Sequence, residues 1–170
     1  MSGDRVVLCL GVYEAAKSAE LDYEDLKLLH GSGRLGAYDV ALISRESDGA
    51  VSVKKREKSA QYGAWKGVAA GAALGVIFPP SILVSATALG VAGGLTGHFR
   101  KGLSRDDMAE LGEALKPGEA ALLVVAGPDL EEQAERVLSR SRRRLVKQVD
   151  VRHEEFAKDL AAFTSPDPAQ

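Results

Sequence analysis

The sequence predicts an α+β fold: a ferredoxin-like α/β sandwich with an inserted glycine-zipper helical hairpin and an appended C-terminal α-β-α segment. Two observations predict it. Short apolar runs rich in β-branched residues alternate with stretches whose apolar residues recur at helical spacing. Residues 67–97 contain no Asp, Glu, Lys, Arg or His, whereas both flanks are dense in charge. We therefore predict one discontinuous α+β domain (1–61 and 102–163), an inserted hairpin (62–101) and a disordered tail (164–170).

The N-terminal flank of the insertion predicts the order strand, helix, strand, strand. Its first strand is a buried apolar run, and the helix that follows has one apolar face. The glycines of segment 30–36 favour the end of that helix. The pair Asp48-Gly49 indicates a hairpin turn between the last two strands. The predicted ranges are strand 5–11, helix 14–30, strand 38–44 and strand 50–55.

The C-terminal flank predicts the order helix, strand, helix, strand, helix. Ser104 is a candidate N-cap, because acids follow it in the first turn, where the helix dipole favours them. Lys116-Pro117-Gly118 is a helix stop signal. The near-continuous apolar run 119–127 is typical of a central strand. The remaining predictions are a helix over 127–144, an edge strand over 145–151 and a short amphipathic helix over 153–163.

Glycine spacing defines the insertion. Glycines recur every four residues in its first half, and the pattern returns in its second half. Each costs an isolated helix about 1 kcal/mol relative to alanine, but a glycine stripe lets a second helix backbone approach closely. Phe78-Pro79-Pro80 breaks the helix and permits a reversal. We therefore predict an antiparallel hairpin in which these glycines pack: Gly63, Gly67, Gly71, Gly75, Gly90, Gly94 and Gly97.

Bulky apolar residues cluster near the reversal, and aromatic and basic residues flank the base. Aromatic and basic residues at both ends of an apolar segment are typical of a membrane interface. An arm of about 16 residues spans about 24 Å, which is less than the about 30 Å hydrocarbon core, so a hairpin that enters and returns on one side fits better than two full spans. The predicted membrane or partner contacts are Trp65, Ile77, Phe78, Pro79, Pro80, Ile82 and Leu83. The predicted interface anchors are Tyr62, Lys66, His98, Phe99, Arg100 and Lys101.

Composition narrows the functional classes. Of 170 residues, 45% are hydrophobic and 27% charged, which is typical of a folded domain. The net charge of −2 gives no reason to expect nucleic-acid binding. The single cysteine, Cys9, excludes an internal disulfide and suits a reducing compartment. The N-terminal apolar run is too short for a signal peptide, so we expect a cytoplasmic protein, with the inner face of the cell membrane as an alternative location.

Catalytic and cofactor motifs do not stand out. The glycines Gly31, Gly33 and Gly36 match a nucleotide-binding pattern in spacing, but they follow a helix and precede a strand, the reverse of that fingerprint. The three histidines lie in separate segments without zinc spacing. Cys9 lies within an apolar strand, where a buried thiol is expected. We therefore predict no enzyme activity, no metal and no cofactor, and the sequence identifies no small-molecule substrate.

Two functions remain from this reasoning. The first is a membrane-associated, self-assembling protein, in envelope stress or scaffolding, that uses the hairpin as membrane anchor and packing surface. Its partners are other copies of itself and the lipid bilayer. The alternative is a soluble homo-oligomeric scaffold, such as a ring, particle or filament, whose hairpins form a shared core. A third class, a small-molecule or regulatory binding module on the ferredoxin-like sheet, also stays open.

Two segments carry a family resemblance. They read VKKREKSAQYGAWKGVAAGAALGVIFPP and GGLTGHFRKGLSRDDMAELGEALKPGEAALLVV. Over about residues 36–126 the chain resembles the bacterial proteins grouped as "domain of unknown function 1269", which are described as predicted membrane proteins. The resemblance implies a glycine-zipper hairpin set in a cytosolic domain. It implies no reaction, because no activity is assigned to the family.

Overall fold

The protein is described from a computed structural model, which covers residues 5–35, 38–56, 68–78, 81–83 and 99–150. This part of the chain contains five strands and four helices, and residues 99–102 are also helical. The strands are β1 (Arg5–Tyr13), β2 (Tyr38–Arg45), β3 (Val51–Arg56), β4 (Ala120–Ala126) and β5 (Arg143–Asp150). The helices are α1 (Ala16–Gly31), α2 (Val68–Ile77), α3 (Arg105–Ala114) and α4 (Asp129–Val137).

The strands form one five-stranded sheet in the order β3-β2-β4-β1-β5. Every pair of neighbours is antiparallel. Consequently β1 and β2 run parallel with β4 between them, and β4 and β5 run parallel with β1 between them. The chain therefore makes two interleaved β-α-β units, through α1 and through α4. The prediction of an α+β fold is confirmed.

The apolar run that predicts a central strand forms β4, the middle strand of the sheet. All seven of its residues are buried, which fits a strand covered on both faces. It pairs with β1 from Val7↔Ala126 to Tyr13↔Ala120. On the far side of β1, β5 pairs from Arg5↔Asp150 to Val12↔Arg143. The prediction that α4 and β5 are an appended segment is therefore corrected, because β5 is a strand of the same sheet. The predicted helix over 153–163 and the predicted disordered tail lie outside the described residues.

One face of the sheet is covered by α1 and α4. Apolar side chains of both helices pack there against alternate residues of the strands. On α1 these include Ala19, Tyr23 and Leu26, which recur at helical spacing as the sequence predicts. On α4 they include Leu130 and Ala134.

The other face of the sheet, here called the insertion face, is covered by α2, residues 99–102 and α3. Its strand residues are the opposite set of alternating positions, among them Leu8 and Leu10 of β1 and Leu123 of β4. The α2 helix lies over β2 and β4 and touches α3. The described part of the insertion thus forms a helical layer on the sheet. Its division from the rest of the chain as a separate hairpin stays a prediction.

Local turn and cap signals agree with the structure. Gly49 has a φ of +92° in the turn between β2 and β3, a conformation that glycine adopts without strain. At the start of α3, Ser104 Oγ accepts a hydrogen bond from the Asp107 backbone N–H at 3.0 Å. Gly118, with a φ of +89°, lies in the turn before β4. The candidate N-cap and the predicted stop signal of this helix are confirmed.

The boundary between α4 and β5 differs from the prediction. A helix was expected over 127–144, but α4 ends at Val137 and β5 begins at Arg143. The intervening loop is held by a non-local partner, because the Arg140 backbone N–H and guanidinium both donate to the Asp22 carboxylate of α1. Helical periodicity in a single segment carries no information about such a contact.

Candidate functional site

The predicted site residues divide into those that the structure describes and those that it does not. Gly71, Gly75 and Ile77 lie in α2, and Phe78 follows it directly. Ile82 and Leu83 lie in the short segment 81–83, and Phe99, Arg100 and Lys101 lie at the start of the next described range. The predictions that lie outside the described residues concern Tyr62, Gly63, Trp65, Lys66, Gly67, Pro79, Pro80, Gly90, Gly94, Gly97 and His98.

The described end of the insertion, here called the tip (residues 77, 78 and 81–83), is docked on the sheet. Phe78 is 2% exposed, Ile77 7% and Leu83 8%, and all three belong to the core of the insertion face. The Val51 backbone N–H donates to the Ile82 carbonyl oxygen at 2.7 Å. Val51 and Leu83 also form a parallel bridge. In this conformation these tip side chains pack against the protein's own sheet.

The predicted interface anchors that the structure describes differ in solvent exposure. Phe99 is fully buried in the same core as the tip. Arg100 and Lys101 are exposed. The three residues are thus brought to one place in the fold, but only the two basic side chains face solvent there.

The α2 helix has no polar side chain on any side. Ala73, Leu74 and Ile77 bury one side of it against the sheet. Gly75 is half-buried, and within the described part of the chain no atom lies within 4 Å of a Cβ built at this position. A helix that is apolar all round is usually covered all round. The Gly75 side of α2 is therefore the surface for which a further contact is expected.

A groove of about 320 Å³ lies between the tip and α3. Its walls are mostly apolar, and a single cation and a single anion line it among the residues that the structure describes. Arg45 Nη1 donates to the Leu115 carbonyl oxygen at 2.7 Å, and Arg45 Nε donates to the Gly49 carbonyl oxygen at 3.2 Å. The lining residues are Arg45, Ile77, Phe78, Ile82, Met108, Ala109, Gly112 and Glu113.

Two glycines that the sequence analysis does not single out, Gly102 and Gly112, lie in close backbone contacts on the insertion face. A Cβ at Gly112 of α3 would lie 3.0 Å from the Ile77 carbonyl oxygen. A Cβ at Gly102 would lie 2.7 Å from the Asp150 carbonyl oxygen of β5. The sequence does contain an indication of the contact at Gly112, because a glycine inside an otherwise regular helix often marks close packing against another element.

A buried carboxylate joins α1 to the loop before β5. Asp22 is fully buried and accepts hydrogen bonds from Tyr13 Oη at 2.6 Å, from the Arg140 backbone N–H at 3.0 Å and from Arg140 Nη1 at 2.6 Å. Arg140 Nη1 also donates to Asp25 Oδ2 at 2.7 Å. Burial, together with the hydrogen bond to Asp22, raises the pKa of Tyr13. Because each group has a partner, we assign this cluster a structural role.

A second charged cluster joins β5 to α3. Lys147 Nζ lies 2.6 Å from Glu110 Oε2 and 3.1 Å from Asp107 Oδ1. The hydrogen bond to Glu110 is the main cause of the raised pKa of Lys147, and the hydrogen bond from Lys147 lowers the pKa of Asp107. These ion pairs hold α3 against the edge strand of the sheet.

Reactive chemistry is sparse in the described structure. Burial raises the pKa of the Cys9 thiol to about 12, so the thiolate that would act as a nucleophile is nearly absent at neutral pH. Within the described ranges, no group of three or more His, Cys, Asp or Glu side chains is placed to hold a metal ion. The same ranges contain no helix that is both long enough and apolar enough to span a bilayer.

Comparison with known proteins identifies a family but no characterised relative. No curated protein and no solved structure matches the chain significantly. The family described as "Protein of unknown function (DUF1269)" matches residues 64–163. The match includes the described part of the insertion, α3, β4, α4 and β5. Since it covers more than half of the 170-residue chain, the protein belongs to the DUF1269 family.

Proposed function

We propose that the protein is a non-enzymatic, self-assembling scaffold of the cytoplasm. In this proposal the glycine-rich α2 of one copy packs against the insertion of another copy, as in a glycine zipper. The observation that carries the proposal concerns the described side chains of α2, residues 73–77. The helix is apolar throughout, Ala73, Leu74 and Ile77 are buried against the sheet, and Gly75 lies on the opposite side, where a Cβ would meet no described atom beyond the helix's own backbone within 4 Å.

The docked tip favours assembly over direct insertion in lipid. Ile77, Phe78 and Leu83 are buried against the sheet, so they are not available to an outside partner while the tip is docked. Assembly through the Gly75 side of α2 requires no release of the tip. A glycine at the contact lets two helix backbones approach closely, with gains from dispersion and from weak Cα–H···O contacts.

Light scattering after size-exclusion chromatography tests this proposal on the full chain, purified without detergent. We expect a mass that is a multiple of the 18.0 kDa chain. Gly75→Leu should lower that mass while the unfolding midpoint is retained, because the leucine keeps α2 but fills the contact. Gly31→Leu is the matched control, since a Cβ there also meets no atom within 4 Å. A monomeric wild type, or an unchanged mass for Gly75→Leu, contradicts the proposal.

Membrane association is the second candidate. It is favoured by the absence of charge from residues 67–97 and by the aromatic and basic residues that flank this segment. Flotation of the protein with anionic liposomes tests it. Ile82→Asp should then reduce flotation, because Ile82 is the half-buried residue of the tip. Leu28→Asp, on the exposed side of α1, should have no effect. Equal flotation of wild type and Ile82→Asp counts against a membrane role of the tip.

The frame that presents the insertion is, in this proposal, a ferredoxin-like sandwich. The support is the pair of interleaved β-α-β units, β1-α1-β2 and β4-α4-β5, with both crossover helices on one face. The edge strand β3 and the helices of the insertion face are then additions to this frame. The helices cover the sheet face that the crossover helices leave open, and β3 extends the edge of the sheet.

A further inference from the structure

We propose that the groove between the tip and α3 binds a medium-chain monocarboxylate, that is, a small fatty-acid anion whose carboxylate pairs with Arg45. This binding site is separate from the Gly75 side of α2 through which the scaffold assembles. It therefore adds a ligand to the proposed function without depending on it.

The walls of the groove are suited to an alkyl chain. Ile77, Phe78 and Ile82 supply the tip side, and Met108 and Ala109 supply the α3 side. Met108 and Ile82 are only half-buried, so apolar surface remains open to a ligand. The volume of about 320 Å³ is at the lower end of the range for ligand sites, which favours a small amphiphile over a drug-sized molecule. Each buried methylene group adds roughly fourfold to affinity.

Arg45 supplies the charge complementarity. Its two hydrogen bonds in the described structure go to carbonyl oxygens, one of Leu115 and one of Gly49. A guanidinium carries more N–H donors than these two bonds use. No carboxylate of the described residues lies within ion-pair distance of Arg45, although six other basic side chains do have such a partner. A guanidinium that lacks a carboxylate partner and lies beside an apolar groove can form an ion pair with the carboxylate of a ligand whose alkyl tail fills the groove.

Glu113 opposes this binding and makes the proposal easier to test. It lines the same groove and is exposed. Its carboxylate repels an anionic ligand but has no such effect on a neutral ligand of the same shape. Octanoate and 1-octanol have alkyl tails of similar length, but only octanoate is charged. The difference between their affinities for the same protein therefore measures the electrostatic contribution to binding.

The experiment is a methyl NMR titration of the full chain with octanoate and, separately, with 1-octanol. Met108 is one of two methionines in the chain, so its methyl signal is readily assigned. We expect saturable shifts of the Met108 and Ile82 methyl signals with octanoate. Arg45→Gln should weaken octanoate binding about tenfold or more and leave octanol binding nearly unchanged. Glu113→Gln should tighten octanoate binding by about two- to fivefold. Arg136→Gln, an exposed arginine of α4, is the matched control.

The outcomes separate cleanly. Absence of octanoate shifts at Met108 and Ile82 overturns the proposal. Equal losses of octanoate and octanol binding in Arg45→Gln also overturn it, because they indicate a damaged groove and no recognition of charge. If Arg45→Gln does not fold, Glu113→Gln decides: tighter octanoate binding with unchanged octanol binding supports the site, and no difference between the ligands refutes it.

Discussion

Replacing Phe78 by alanine tests whether the tip of the insertion stabilises the whole domain. Phe78 is 2% exposed and belongs to the same core as Leu74 and Leu83. Truncating a buried phenylalanine costs about 3–5 kcal/mol. The cost of such a truncation falls when the surrounding side chains can close the space, and the neighbouring Ile82 is only half-buried, so we expect the lower end, about 3 kcal/mol. For a chain of this length, that loss corresponds to a decrease in Tm of about 6–12 °C.

Urea unfolding followed by circular dichroism measures this loss, with the free energy of unfolding extrapolated to water. Leu28→Ala is the control, because Leu28 is 71% exposed on α1 and surface truncations usually change stability by less than about 0.5 kcal/mol. A Phe78→Ala protein whose free energy of unfolding lies within about 0.5 kcal/mol of wild type would refute the reasoning. The tip would then contribute nothing measurable to the stability of the fold.

Three further predictions concern the charged and reactive groups. Asp22→Asn should lower the free energy of unfolding, measured in urea, by about 2–4 kcal/mol, because the new amide N–H₂ group would face the buried donors. Asp25→Asn is the control and should cost less than about 1 kcal/mol. The raised pKa of Lys147 means that its ion pairs stabilise the fold fully below the ordinary value of 10.5 and are lost as pH rises through the raised pKa. The difference in stability between wild type and Lys147→Met should therefore shrink above pH 10.5. The Cys9 thiol should resist an aromatic disulfide reagent in the native protein and react with it in urea; fast reaction without urea would contradict the buried core.

The sequence predicts the α+β class and several individual elements because their signals are local. The Asp48-Gly49 turn, the Ser104 cap and the apolar run of β4 each depend on residues close together in the chain, and each is present in the structure. The boundary of α4 was missed because it depends on Asp22, which lies far from Arg140 in sequence. The order of the strands in the sheet could not be predicted for the same reason. The pairing of β4 with both β1 and β2 is set by non-local contacts that no single segment reveals.

The candidate site was harder to predict than the fold. Lack of charge shows that a segment leaves water, but lipid, a second copy and the protein's own sheet all accept the same apolar side chains. The grouping of Ile77, Phe78 and Leu83 at one tip was therefore visible in the sequence, while their docking on the sheet was not. The role of Arg45 could not be predicted from the sequence for another reason. Its significance lies in the carbonyl oxygens that it contacts and in the groove that it lines, and both require the folded chain.

Before the tip can insert in a membrane, it must be released from the sheet, and this release costs free energy. Burial of one large apolar side chain contributes roughly 1.5–3 kcal/mol, so release of Ile77, Phe78 and Leu83 costs roughly 5–9 kcal/mol. Insertion in lipid returns a similar amount for these three side chains, but it leaves the part of the insertion face beneath the tip open to water. Assembly through the Gly75 side of α2 carries no such cost. If the tip does reach membranes after release, Phe78→Ala should increase flotation with liposomes. The truncation weakens docking more than insertion, because it leaves a cavity in the packed core and none in fluid lipid. Reduced flotation would contradict this expectation and show that Phe78 itself contacts the lipid.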